Sequence, residues 1–310
     1  WPDGTVQESS DIYKILERIE AEYPHAPNFY PDISVSVDIV RNNIERRFDG
    51  VLPRYTRPSS LAPYVFRAED GEVVPEFKYD VFLEEVDEIL EEYDDGPFFA
   101  GKHITAADIF WAPFLERFAS HLPLLYRGLM PRSREFEAIE DWYDAMDKLV
   151  PCYSCRVKGR VETWHAVLAK THPDLKLKDN TEAVPNLPAK GSFDANKVWG
   201  KYAKGKPYLA PTPAQEIAAR IVRERDSLIQ STTAACRAIG DADAVDSALR
   251  EVCDALTALD ESDASTAASK LSGDGRQAAS FLNGEGLAVP RDVGVIPAEA
   301  LRALVDAVPE

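Results

Sequence analysis

Residues 96–117, GPFFAGKHITAADIFWAPFLER, constrain this chain more than any other stretch because they hold every part of a helix start. Thr105 is placed as N-cap, its hydroxyl accepting from the backbone N–H of Asp108. The Asp108 carboxylate in turn reaches back to the Thr105 N–H, which makes a capping box with Asp in the usual Glu or Gln place. Ile104 before the cap and Ile109 inside the helix supply a hydrophobic staple. Gly101 lets the backbone turn sharply into the cap. The expected helix is buried, and Pro113 should kink it by freeing the Ile109 carbonyl. The device starts a helix and performs no chemistry.

Helical periodicity dominates the rest of the chain. Ile33, Val37, Val40, Ile44 and Val51 mark one long helix, and Phe82, Val86, Ile89, Leu90 and Tyr93 another. The other face of the second carries Glu84, Glu85, Asp87, Glu88, Glu91 and Glu92, read as a solvated acidic face. Phe136, Ile139, Trp142 and Met146 mark a third, and Pro151 begins a helix that ends near Lys170. Residues 171–212 change character: seven lysines against four acidic residues, with many Pro and Gly, read as a basic linker. Thr212-Pro213-Ala214-Gln215 is then a strong helix start, with Pro at the first helical position. Ala-rich helical stretches follow near 243–260, 263–282 and 297–308, punctuated by Gly273, Gly275, Gly284 and Gly286. Residues 263–275 are only weakly amphipathic, a composition compatible with local disorder.

The first residues carry a different signal. Asp3-Gly4 is a hairpin-turn pair, Thr5 to Gln7 suit an edge strand, and Ser9 or Ser10 caps a helix with Ile12, Ile15, Leu16 and Ile19 at helical spacing. A helix N-terminus with a hydroxyl suits a carboxylate, and the Glu8 side chain suits an amine. Taken alone, the same residues are also an ordinary helix cap.

Two of these segments together resemble the glutathione transferase superfamily. The pattern Gly101-x-x-x-Thr105-x-Ala107-Asp108, followed by Pro113-Phe114-Leu115-x-Arg117, is similar to the start of the family's sixth helix. The run from Asp3 to Ile12, on to Leu16-Glu17 and Tyr23-Pro24, looks like the end of its thioredoxin-like domain. The resemblance covers residues 1–170. It implies a mainly α fold: a remnant of the glutathione-binding domain over 1–24, holding its last strand and helix; a linker over 25–32; and the all-α C-terminal domain over 33–170. The linker over 171–212 and an extra α-helical region over 213–310 would complete the chain. The ending, Val289-Pro290-Arg291-Asp292 and Pro297 to Val308, resembles the extension of some algal and plant members.

The resemblance implies glutathione as co-substrate, with Glu8 and Ser9 binding its γ-glutamyl end. It also implies a hydrophobic electrophile or a disulfide as second substrate, and an electrophile pocket near Phe110 and Trp111. Residue type leaves open whether those two aromatics face the pocket or the core, and core is the commoner fate. Arg117 suits a carboxylate or an acidic neighbour. By the same resemblance the chain is truncated at its N-terminus, so the catalytic Ser, Cys or Tyr is expected upstream of Trp1. A homodimer is among the assemblies implied.

Charge and motif content narrow the alternatives. A net charge of −18 disfavours nucleic acid and anionic membrane surfaces as partners, and no apolar run approaches the ~18 residues of a membrane span. Four Cys in 310 residues, with no N-x-Ser/Thr sequon, suit reduced thiols in the cytoplasm or a plastid. Cys152-Tyr153-Ser154-Cys155 has redox spacing but follows Pro151 in helical surroundings, outside the strand-to-helix turn such a motif uses. No metal-ligand spacing, P-loop or nucleophile elbow is present, and no metal is expected. Three functions remain: a glutathione-dependent transferase or thiol reductase, a non-enzymatic interaction module on the same scaffold, and a thiol redox protein using Cys152 and Cys155.

Overall fold

The computed structural model describes residues 12–24, 28–30, 73–92, 96–126, 129–133, 135–159, 165–166, 168–170, 173–177, 194–284 and 293–308. Among them the architecture is helical and holds no strand; an isolated antiparallel bridge joins Phe98 and Gly101. The helix expected from Ile33, and the segment from Asp3 to Ser10 with Glu8 and Ser9, lie outside the described residues. The chain divides into two compact units, residues 1–145 with 171–178, and residues 146–170 with 179–310.

In the first unit, α1 spans Ile12–Glu22, α2 Glu76–Glu91 and α3 Ala106–Leu125, and most of α4, Glu137–Leu149, belongs with them. On α2, Tyr79, Phe82, Leu83, Val86, Ile89 and Leu90 are buried along one side, the amphipathic stripe their spacing demands. Tyr79 and Phe82 each meet Phe118 edge-on, with ring centroids 5.7 and 5.6 Å apart. Glu84, Glu88, Glu91 and Glu92 are exposed. Asp87 departs from that acidic face: its Oδ1 accepts the Ile139 N–H at 2.8 Å and so serves the first turn of α4. The α4 residues Ile139, Trp142 and Met146 are buried, as is Phe136 just before the helix.

α3 is buried on almost every side and runs unbroken through Pro113 and Pro123. Pro113 is exposed, so its ring faces away from the packed surfaces. The Tyr143 hydroxyl donates to the Leu115 carbonyl at 2.5 Å, and the Tyr126 hydroxyl donates to the Val74 carbonyl just before α2.

In the second unit the helix expected from Pro151 to near Lys170 is α-helical at 151–152, turns π-helical over Tyr153–Val157, and is α-helical again at 165–166 and 168–170. Then come α5 (Ala195–Ala203), α6 (Pro213–Arg223), α7 (Arg225–Ala235), α8 (Ala242–Ala258), α9 (Ala264–Ala268), α10 (Gly273–Asn283) and α11 (Val295–Asp306). Side-chain caps start five of them: Asp194, Thr212, Asp241, Asp263 and Ser272 each accept the N–H three residues on, which satisfies one of the orphan donors of a first turn. The stretch 263–275 is ordered by two such caps and by burial of Ala267, Ala268 and Leu271. α8 is central, packed by α6, α7 and α10, and α11 closes the bundle against α6 and α10. The contact residues are mostly Ala, Val, Leu and Ile.

Candidate functional site

The first turn of α3 is organised by one carboxylate. Phe98 and Gly101 exchange two backbone hydrogen bonds at 3.1 and 3.0 Å, and Gly101 closes that turn with φ 101°, a conformation glycine adopts without strain. The turn delivers the Phe99 N–H to Asp108 Oδ1 at 3.0 Å, and the Trp142 indole N–H reaches the same oxygen at 2.9 Å. Asp108 Oδ2 accepts the Thr105 N–H at 2.8 Å and the Thr105 hydroxyl at 3.0 Å. The hydroxyl oxygen faces the Asp108 backbone N–H, the second arm of the capping box. Gly101, Thr105 and Asp108 are thus brought together, with Phe99 and Trp142 as partners that sequence spacing did not reveal.

Asp108 is fully buried, and no cation is among its hydrogen-bond donors. Burial pushes its carboxyl above the ordinary value, while the donated bonds from Phe99, Thr105 and Trp142 act in the opposite direction. With both oxygens occupied and no access to water, this carboxylate holds structure in place and moves no proton. Phe110 and Trp111 follow on α3, 6% and 1% exposed. They pack edge-on to each other at 5.2 Å and both meet Phe114. As placed they are core side chains.

α1 and the linker join this same assembly. The Glu20 carboxylate accepts the backbone N–H of Phe29 and that of Tyr30, the latter at 2.9 Å. The Phe29 carbonyl accepts the N–H of Ala106, the first residue of α3, at 3.0 Å. α1 packs directly on α3, with Leu16 buried. Glu20 carried no motif in the sequence, since its partners Phe29 and Tyr30 lie nine and ten residues on, beyond the end of α1.

The Cys152–Cys155 pair sits in the second unit. Cys155 is buried and Cys152 exposed. Burial pushes both thiols up, Cys155 to about 12, where the neighbouring Cys152 thiol adds to the rise and Arg156 and Lys206 oppose it. Both surroundings disfavour the thiolate, the opposite of the environment that activates a redox cysteine. Among the described residues no group of three His, Cys, Asp or Glu is placed to hold a metal. No described helix is long and apolar enough to cross a membrane.

The densest polar site of the second unit is Glu216, fully buried on α6. Its Oε1 accepts from Arg156 at 3.0 Å and Arg223 at 2.9 Å, and its Oε2 accepts the Ala210 N–H at 2.9 Å. The Arg156 guanidinium lies over the Trp199 ring, 5.5 Å from its centroid, and the Trp199 indole donates to the Ala210 carbonyl at 2.9 Å. Beside this knot the Val295 N–H reaches the Lys158 carbonyl at 2.9 Å. Gly294 (φ 85°) lies so close to the 155–156 backbone that a Cβ there would stand 2.0 Å from the Cys155 carbonyl oxygen. Neither Glu216 nor Gly294 stood out in the sequence: Arg156 lies 60 residues from Glu216, and Gly294 meets the distant 155–156 backbone.

The first unit therefore holds a buried, box-capped helix carrying a Phe-Trp pair, with the preceding linker bonded to its first residue. Residues 60–145 match the family described as glutathione S-transferase, C-terminal domain. It is similar to glutathione S-transferase L3 of Arabidopsis thaliana, with 29% identity over 143 residues, covering 46% of this chain and 52% of that protein. The chain thus spans about half the length of the curated relative it matches. No solved structure matches.

Proposed function

We propose that the protein is a glutathione-dependent transferase, in which Glu8 and Ser9 hold the γ-glutamyl end of glutathione just ahead of α1. The observation that carries this reading is the buried Thr105–Asp108 start of α3, bonded through the linker to α1, within residues that match the glutathione S-transferase C-terminal domain family. The similarity to a protein named as a glutathione S-transferase supports it. Backbone N–H groups at the N-terminus of α1 suit the glutamyl carboxylate, and Glu8 suits its amine. The thiolate of glutathione would then attack an electrophilic carbon, with loss of a leaving group or addition across a double bond, or a disulfide sulfur, with release of a thiol. Phe110 and Trp111, being buried, would back the wall of an electrophile pocket and not touch its occupant.

Glutathione titrated into the protein by calorimetry tests the assignment. Replacing Glu8 and Ser9 together with Ala should weaken binding at least tenfold, and unchanged affinity would remove the site. An alternative reading, a protein-interaction module on the same scaffold, is favoured by the second unit, which has its own core and is larger than the matched domain. Wild-type protein that binds no glutathione but captures a defined protein partner would favour that alternative.

A further inference from the structure

Glu20 has a property beyond ordinary packing. The N–H of Tyr30 and the C=O of Phe29 belong to the same peptide group. Glu20 Oε1 accepts that N–H at 2.9 Å, and the C=O at the other side of the plane accepts the Ala106 N–H at 3.0 Å. One peptide unit is thus held between a carboxylate and the first N–H of α3. A negative charge on the N–H side polarises the amide and makes its carbonyl a stronger acceptor. That carbonyl meets an orphan donor at the positive end of a buried 20-residue helix. The Phe29 N–H also points to Glu20, so two successive N–H groups form a small anion-binding nest around its carboxylate. The Tyr30 N–H is shared with the Asn28 side-chain oxygen, also at 2.9 Å.

Glu20 sits near the C-terminal end of α1, Ile12–Glu22, a rod about 16 Å long at 1.5 Å per residue. The other end of that rod follows directly on Glu8, Ser9 and Ser10 in sequence. We propose that Glu20 is a positioning residue that locks α1 to the first turn of α3, so that occupancy of the glutathione site at the head of α1 is felt at the start of α3. The coupling rests on the Glu8–Ser9 assignment above; the lock itself does not. Its physical content is a chain of three links: the Glu20 carboxylate, the Phe29–Tyr30 peptide, and the Ala106 N–H next to the Thr105–Asp108 box.

Hydrogen exchange resolved to residues 28–31 and 103–109, with and without glutathione, tests both parts. In Glu20→Ala the Tyr30 and Ala106 amides should exchange about tenfold faster while the amides of α2 and α4 keep their wild-type rates. Glutathione should protect Ala106 in the wild type and not in the variant, and should bind the variant about threefold to tenfold more weakly at an unchanged melting temperature. Glu20→Gln keeps an acceptor but loses the charge, and should restore only part of the protection. Wild-type exchange at Ala106 in Glu20→Ala overturns the lock. Should that variant not fold, Glu20→Gln decides alone: faster exchange confined to Tyr30 and Ala106 supports the lock, and wild-type rates there overturn it. Glutathione that binds the wild type without changing Ala106 exchange overturns the coupling. A wild type that binds no glutathione removes the transferase reading, while the ligand-free exchange rates still decide the role of Glu20.

Discussion

Each unit of this protein buries a carboxylate at a helix start, and the two are satisfied by opposite means. Asp108 in the first unit takes four neutral donors: two backbone N–H groups, a hydroxyl and an indole. Glu216 in the second takes two arginines and one backbone N–H. The surroundings differ in the same sense. Around Asp108 the core is aromatic, with Phe99 facing Trp142 at 6.2 Å and Trp142 against Tyr143 at 5.2 Å. Around α8 the core is Ala, Val, Leu and Ile, small enough for helices to approach closely. Neutral donors enclosed by large rings fix one geometry and leave little room for water. Arginines that reach solvent, Arg223 being 47% exposed, can rehydrate when their partner is lost. The first arrangement is brittle and the second forgiving.

Asp108→Ala should therefore be the most damaging change. It orphans four donors at once, two of them backbone, in a site without water, and should cost about 4 kcal/mol, read as a fall in the urea midpoint. A loss below about 1 kcal/mol would mean that water or a neighbouring acceptor fills the site, and the contrast with Glu216 would disappear. Glu216→Ala should cost about 2 kcal/mol, less than a fully buried pair because its arginines are partly exposed. A cost equal to that of Asp108→Ala would show that Arg156, held between Glu216 and Trp199, cannot rehydrate.

The smallest effect concerns pH. Burial raises the Asp108 carboxyl above its ordinary value, so the folded protein binds that proton more tightly than the unfolded chain does. Its contribution to stability is fully present below about pH 3.9, the unfolded value, and is lost as pH rises through the folded value. This is the reverse of a salt-bridged Asp. The stability of the wild type relative to Asp108→Asn should decline as pH rises from 3.5 towards 7. A difference that grows with pH would mean that the four donors outweigh desolvation.

Local signals explain what could be read from sequence. Thr105 with Asp108, and Thr212 with Pro213, are complete within four residues, so the helix starts they imply are found in the structure. The burial of Phe136, Ile139, Trp142 and Met146 follows from spacing alone. What spacing could not reveal is which polar residues join elements distant in sequence. Asp87 sits within an acidic run and looks solvated, yet it holds α4 across 52 residues. Glu216 reaches Arg156 across 60. The π-helical turn at Tyr153–Val157 has no pattern of its own, since its geometry is set by what packs on it: the Lys158 carbonyl receives the Val295 N–H, and Gly294 lies on the Cys155 backbone. Of the candidate site, the cap residues were legible because capping is local, and Glu20 was not because its effect passes through a peptide bond of the linker.

The close seat of Gly294 on the 155–156 backbone also sets a timetable for synthesis. The segment around Cys155 leaves the ribosome some 140 residues before its covering helix, an interval on the order of ten seconds at ordinary translation rates. Trp199 and Leu209 arrive earlier, but throughout that interval the turn lacks the part of its apolar cover that Val295 and Ile296 supply, and contacts closing so large a loop form late. The nascent chain is thus most vulnerable to aggregation or to capture by chaperones in the stretch between making the turn and making α11. A ribosome pausing over residues 160–290 would prolong that exposure without altering a single residue of the finished protein.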